Sequence, residues 1–277
     1  MSNHTTSDTD AERFSFTPFT RHPFFTYVNR WMVDRVVQPD RKVVVDLGCG
    51  PGAVTKLIVE RLGEAPDAKV IGVDPSPSAL ARARAAVGSC VAEFVEGSAE
   101  WLSRLVSSAD AVVFLNAIHL IHDKPKVLRE IRRVLREGGV LGFNSTFFNG
   151  AYVEGTGGFW RRWVVRAMQV LKERGITVAR SPADKAQALQ WLTPDEYSAL
   201  CVEAGFAAPT CELVQVELPP QSLRDIGNFS LFIEGALPGV PLEEGASALE
   251  EGLARTLSEL NVSSIARYWM ECVAVAA

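Results

Sequence analysis

Two rhythms of apolar residues alternate along the first half of the chain. Val43–Val45, Lys69–Asp74, Ala111–Leu115 and Val140–Phe143 are short, apolar and rich in β-branched side chains, the composition of strands buried on both faces of a parallel sheet. Val91–Val95 reads as one more strand, the third in chain order. Between them the apolar positions recur every 3.6 residues. Ala53, Val54, Leu57, Ile58 and Leu62 follow the first strand, Ala79–Val87 the second, and Val127, Leu128, Ile131, Val134 and Leu135 lie within a helix expected over Pro125–Arg136. Strict alternation of strand and helix across 42–145 predicts a doubly wound α/β fold with right-handed crossovers.

Beyond Asn144 the rhythm breaks. A polar and aromatic stretch, Asn144–Gly150, is followed by a helix expected over Phe159–Arg174, by a basic stretch Arg161–Lys185, and by a helix start at Thr193-Pro194-Asp195-Glu196. Glu212–Leu218 and Ser264–Val275 read as strands, and Gln221–Glu234 and Pro241–Leu260 as helices. At the other end, residues 1–13 are polar and are expected to be loosely held. Phe14, Phe16, Phe19, Phe24, Phe25, Tyr27 and Trp31 then crowd together, with a helix expected over Pro23–Val37 that either packs on the core or lids a pocket.

The first strand carries the chemistry. It ends in Asp46-Leu47-Gly48-Cys49-Gly50-Pro51-Gly52 and runs straight into a helix, so bare backbone is presented to a ligand at a helix start. The dinucleotide fingerprint is G-x-G-x-x-G, shaped for a pyrophosphate. Here the spacing is G-x-G-x-G, and a carboxylate at the mouth repels phosphate but suits an ammonium or a cationic centre. Asp74 ends the second strand, where its two oxygens are placed for the two hydroxyls of a ribose.

The stretch Val43–Thr55 resembles the first motif of the class I S-adenosylmethionine-dependent methyltransferases. Leu135-Arg136-Glu137-Gly138-Gly139-Val140-Leu141 resembles that family's segment before strand five. The resemblance implies a mostly parallel seven-stranded sheet of order 3-2-1-4-5-7-6, its last strand antiparallel, with helices on both faces and a helical cap. It implies S-adenosyl-L-methionine as cofactor, held by Asp46, Gly48, Cys49, Gly50 and Gly52 at the first turn and by Asp74 and Pro75 at the second strand's end. Gly97-Ser98-Ala99-Glu100 resembles the family's third motif, which places Ser98, Ala99 and Glu100 at the adenine, with Ser98 where an aspartate is common. Asn116 would line the methionine end. The expected division is 1–37 as tail and lid helix, 38–145 as the cofactor core, 146–190 as a cap insertion, and 191–277 as the end of the sheet with a second insertion at about 219–262.

Methyl transfer needs the acceptor in line with the sulfonium and, where the acceptor carries a proton, a base to take it. His119 and His122, just beyond the fourth strand, are the leading base candidates, and they would share one face if the turn were helical. Tyr27 is a further catalytic candidate, with His22 and Tyr152 behind it. The basic stretch 161–185 reads either as a clamp for an anionic acceptor or as a solvated helix face, and Trp160 and Trp163 as an apolar acceptor site or a cap core.

Bulk properties narrow the acceptor. With 277 residues, a net charge of −5 and a pI near 5.5, nothing draws the chain to nucleic acid or to an anionic membrane. Five scattered cysteines without a Cys-x-x-Cys pair fit reduced thiols better than disulfides or zinc, and no metal site is expected. With no signal peptide evident and no spanning run, a cytoplasmic enzyme with a small-molecule acceptor is the leading expectation. A methyltransferase acting on protein or RNA, a non-catalytic cofactor binder and a NAD-dependent oxidoreductase are the competitors. Asn116-Ala117-Ile118-His119 stands where amino-methylating nucleic-acid enzymes carry an Asn/Asp-Pro-Pro-Tyr/Phe motif. Oligomeric state is left open by the sequence.

Overall fold

The computed structural model describes residues 14–63, 67–176 and 191–277. The expected loose tail at 1–13 and the far part of the basic stretch, with Arg180, Asp184 and Lys185, lie outside the described residues. The chain divides into two compact units. One comprises Thr26–Ala151, Trp191–Val214 and Tyr268–Ala277; the other comprises Met1–Phe25, Tyr152–Gln190 and Gln215–Arg267.

The first unit is built on the sheet. The strands of the sheet are β1 (Val43–Leu47), β2 (Lys69–Asp74), β3 (Ala92–Glu96), β4 (Ala109–Leu115), β5 (Leu135–Ser145), β6 (Thr210–Leu218) and β7 (Ile265–Val275), in the order β3-β2-β1-β4-β5-β7-β6. β3, β2, β1, β4 and β5 pair in parallel, and β7 runs antiparallel to β5 with Asn144 opposite Glu271. The longer helices are α1 (Pro23–Val36), α2 (Ala53–Leu62), α3 (Pro77–Val87), α4 (Lys124–Val134), α5 (Gly157–Glu173), α6 (Pro194–Glu203) and α7 (Leu242–Leu260).

Both faces of the sheet are covered, which is why its central strands carry unbroken apolar runs. On one face Met32, Val33 and Val36 of α1 and Val54, Leu57 and Ile58 of α2 pack on Val44, Val70, Ala111, Val113 and Val140. Gly142 makes that contact close: a Cβ there would stand 2.3 Å from Val36 Cγ2 and 2.9 Å from Met32 Sδ. On the other face Val127, Leu128, Ile131 and Val134 of α4 join Tyr197 and Cys201 of α6 against Val45, Val112, Phe114 and Phe143. Each such fully buried apolar side chain contributes about 1.5–3 kcal/mol.

Local signals set several boundaries as expected. Thr193 and Glu196 form a reciprocal capping box at α6, with Glu196 N–H donating to Thr193 Oγ1 at 3.2 Å and Thr193 N–H to Glu196 Oε2 at 2.7 Å. Others move. α4 stops at Val134 rather than Arg136, because Leu135 is already extended (φ −73°, ψ 134°) and pairs with Ala109 of β4. The helix expected over Gln221–Glu234 is two helices, Pro220–Gly227 and Ser230–Ala236, broken where Phe229 turns extended (φ −77°, ψ 127°).

In the second unit α5 lies along α7. Gly252 permits this, since a Cβ there would sit 2.6 Å from the backbone nitrogen of Ala167. Trp163 is fully buried and its indole N–H donates to Leu249 O at 2.7 Å, while Trp160 is nearly buried, so both serve this unit's core. The basic residues of α5 face acids on α7: Arg162 and Arg166 meet Glu259, Arg174 meets Glu251, and Arg255 of α7 meets Glu173. These exposed pairs are each worth about 0.2–1 kcal/mol and set the register of the two helices more than they stabilise them. Arg162, Arg166 and Arg174 of the basic stretch thus form a helix–helix seam, while Arg161 and Lys172 are exposed.

The cysteine expectation is overturned in part. Cys211 and Cys272, 61 residues apart in sequence, form a disulfide between the neighbouring strands β6 and β7. Only strand pairing brings them together, so their sequence spacing carries no trace of it. Cys49, Cys90 and Cys201 are free thiols. Among the described residues no helix is long and apolar enough to cross a membrane, and no cluster of three potential metal ligands occurs.

Candidate functional site

The carboxyl ends of β1, β2, β3 and β4 meet around the glycine turn. Gly48, Gly50 and Gly52 all take positive φ (68°, 51° and 87°), a region closed to most side chains. Gly48 and Cys49 donate their N–H groups to Val73 O at 2.7 and 3.1 Å, folding the turn back over the end of β2. Gly50 N–H donates to Asp74 Oδ2 at 2.9 Å, and Asp74 Oδ1 accepts from Ser76 N–H at 2.9 Å. One carboxylate therefore latches the turn and starts α3, and each oxygen keeps lone-pair capacity for a further donor. Gly97 N–H donates to Asp74 O at 3.1 Å, which brings β3's end alongside.

Space at the turn is uneven. A Cβ on Gly48 would stand 3.0 Å from Ala117 Cβ, and one on Gly52 3.1 Å from Ala83. At Gly50 nothing lies within 4 Å. The turn is pressed close on two sides and open on the third, a cradle of bare backbone that a side chain would fill. Pro75 is exposed beside it.

Asp46 departs from expectation. Its side chain is buried under the turn and accepts a hydrogen bond from Thr55 Oγ1 at 2.6 Å. Burial, opposed by the Thr55 hydrogen bond, raises its pKa from 3.8 to about 7, with the nearby Asp74 charge adding to the rise. It is not an open carboxylate at the mouth; it braces β1's end against α2. Cys49 beside it is buried, and its thiol is pushed well above its ordinary value by burial and then by Asp46 and Asp74.

Ser98 Oγ donates to Glu100, so these two residues close on each other at the start of a one-turn 3-10 helix, Ala99–Trp101. Ala99 is buried and Glu100 half-buried. Asn116 stands at the end of β4 with φ 56°, its amide engaged on both sides: Nδ2 donates to Asn29 Oδ1 at 2.9 Å and Oδ1 accepts from Trp269 Nε1 at 3.0 Å.

The two candidate histidines separate. His119 is half-buried; its Nδ1 lies 3.0 Å from Ser145 Oγ, and its ring is 4.6 Å from that of Phe147. Ser145 Oγ in turn accepts from Phe147 N–H at 2.9 Å. His122 is exposed, because the 3-10 turn ends at Leu120 and Ile121 is extended (φ −76°, ψ 129°), so the two rings do not share a helical face. Tyr27 is 62 % exposed on α1. In the second unit His22 Nε2 lies 2.6 Å from Asp225 Oδ2, and Tyr152 lies over the Arg267 guanidinium.

Sequence reasoning missed Thr55, Asn29, Asn144, Ser145, Trp269 and Glu271. One signal was present for Glu271: a lone acid inside the apolar run of the last strand, at a register position opposite Asn144.

Comparison with known proteins agrees with this geometry. Residues 44–139 match the model of a family described as a methyltransferase domain. Trans-aconitate 2-methyltransferase of Azoarcus sp. is 39 % identical over 122 residues, 42 % of this chain and 44 % of that protein. The protein of that name from Rhodopseudomonas palustris (strain HaA2) is 42 % identical over 108 residues, 38 % of each chain. The chain thus aligns with less than half the length of these curated relatives. Among solved structures, a phosphoethanolamine N-methyltransferase of Haemonchus contortus shares the fold with a TM-score of 0.58 at 16 % identity, over 96 % of this chain and 57 % of that one. The [4+2]-cyclase SpnF does so with a TM-score of 0.52 at 18 % identity, over 91 % and 81 %. The segment 44–139 thus matches a methyltransferase domain, carried on a fold shared with solved methyltransferases.

Proposed function

We propose that this chain transfers the methyl group of S-adenosyl-L-methionine to a small-molecule acceptor that carries a carboxylate. The carrying observation is the turn itself: three left-handed glycines, open at Gly50 and latched by Asp74. Bare backbone of this shape fits the methionine part of the cofactor. Asp74 would take the ribose hydroxyls, and Ser98, Ala99 and Glu100 the adenine. The bound cofactor supplies an already activated methyl group, so the protein's work is placement and exclusion of water. The acceptor class rests on the relatives named trans-aconitate 2-methyltransferase, 39 % and 42 % identical over 122 and 108 residues.

The acceptor decides what His119 does. A hydroxyl or amine acceptor must lose a proton, and His119, held by Ser145, would take it. A carboxylate acceptor is already ionised at neutral pH and needs no base. His119 would then orient the acceptor rather than deprotonate it.

Transfer of labelled methyl from S-adenosylmethionine into trans-aconitate and related small polycarboxylates, beside bulk RNA and protein, tests the reading. Label in a small acid at rates far above the macromolecular fractions supports it. Label only in RNA or protein, or in nothing while the cofactor binds, would overturn it. The second result is a real alternative, because a protein named as a cyclase shares the fold.

A further inference from the structure

Under α1, at the carboxyl ends of β4 and β5, the sheet holds a buried polar network that the glycine turn does not require for its own closure. Asn29 of α1, Asn144 of β5 and Trp269 and Glu271 of β7 are all fully or almost fully buried, and Asn116 completes the group. Asn116 N–H donates to Asn144 Oδ1 at 2.8 Å, and Trp269 Nε1 donates to Asn116 Oδ1 at 3.0 Å. A backbone amide and an indole N–H can only donate, so they fix both asparagine amides in one orientation. The Nδ2 groups of Asn116 and Asn144 therefore converge on Asn29 Oδ1, at 2.9 and 3.1 Å, and Asn144 Nδ2 also reaches Glu271 Oε1 at 3.2 Å.

Glu271 uses only half of its carboxyl in this way. Its Oε2 is buried and has no hydrogen-bond partner among the described residues. A buried oxygen without a donor carries its full desolvation penalty, so an acceptor for Asn144 is kept here at a cost that apolar packing would not incur. Costly polar groups kept in a core mark places where function overrides packing. What the network holds is equally specific. Asn116 is non-glycine at φ 56°, and the next residue, Ala117, is the one whose Cβ would stand 3.0 Å from a Cβ on Gly48.

We propose that Glu271 is a positioning residue of the cofactor site: it holds the Asn144 amide, which holds the left-handed Asn116, which sets Ala117 against the Gly48 turn. The inference rests on the reading of that turn as the cofactor's seat. It adds a requirement from the far end of the chain, a buried hydrogen-bond acceptor on β7, that the glycine motif does not contain.

The test is calorimetric titration of the full chain with S-adenosylhomocysteine, alongside thermal melts. Glu271→Leu should fold yet bind about tenfold or more weakly, whereas Glu271→Gln, whose carbonyl still accepts from Asn144, should stay within about threefold of wild type. Trp269→Phe removes the indole donor along with part of the ring, and should weaken binding in the same direction, which keeps the test alive if Glu271→Leu fails to fold. Ile131→Val, in the core but outside the network, should lower the melting temperature and leave affinity unchanged. Wild-type failure to bind S-adenosylhomocysteine would sink the reading of the turn and this inference together. Wild-type binding with unaltered affinity in both Glu271→Leu and Trp269→Phe would sink the inference alone.

Discussion

Asp46 shows how a motif residue can be read correctly by position and wrongly by role. The sequence places an acid at the mouth of the glycine turn; the structure puts its carboxyl beneath the turn on Thr55. With its pKa raised from 3.8 to about 7 by burial, the folded state favours the protonated form. Asp46 therefore contributes stability that is complete below pH 3.8 and lost as pH rises through about 7. The buried Glu271, also raised by burial, acts in the same direction. Melting curves from pH 4 to pH 8 should show Asp46→Asn losing less stability with rising pH than wild type. Parallel curves would remove Asp46 as the titrating group. His119 makes a second residue-scale test: His119→Ala should spare S-adenosylhomocysteine affinity. With a carboxylate acceptor turnover should fall less than about tenfold, whereas loss of an obligatory base costs about 100-fold or more.

Among the elements, strands and helices between 42 and 145 were legible because their two periods differ and their caps are local. Ser76 accepting from Ala79 N–H at 3.3 Å and Asp123 from Lys126 N–H at 2.9 Å are decided within four residues. What was not legible depends on neighbours far away in sequence. The break before Phe229 is marked only by Gly227-Asn228 inside a continuing apolar pattern, and α4 yields Leu135 to pairing with β4. The β6–β7 disulfide is of the same kind. By chain entropy, a cross-link closing a loop of this length is worth about 4 kcal/mol. Thiol titration of the denatured chain should count three free thiols before reduction and five after it. Reduction should also lower the melting temperature by several degrees. Five thiols at the outset would show that the bridge is not formed.

At the scale of the whole molecule, the order of the sheet followed from a resemblance carried by two short motifs, and the structure bears it out. The glycine turn proposed as the cofactor's seat was legible because glycines and an acid at fixed offsets make it locally. Its support was not. Asn29, Asn116, Asn144 and Glu271 come from four separate stretches, and only the finished sheet gathers them. The acceptor is less legible still, since the family match covers only 44–139 and the curated relatives align over less than half their length. The central claim concerns the seat. Calorimetric titration with S-adenosylhomocysteine and, separately, with NAD tests it on wild type and on Asp74→Ala. The account predicts that wild type binds the first and not the second, and that Asp74→Ala binds about tenfold or more weakly through the lost turn latch and ribose contacts. NAD binding, or an Asp74→Ala affinity equal to wild type, would contradict it.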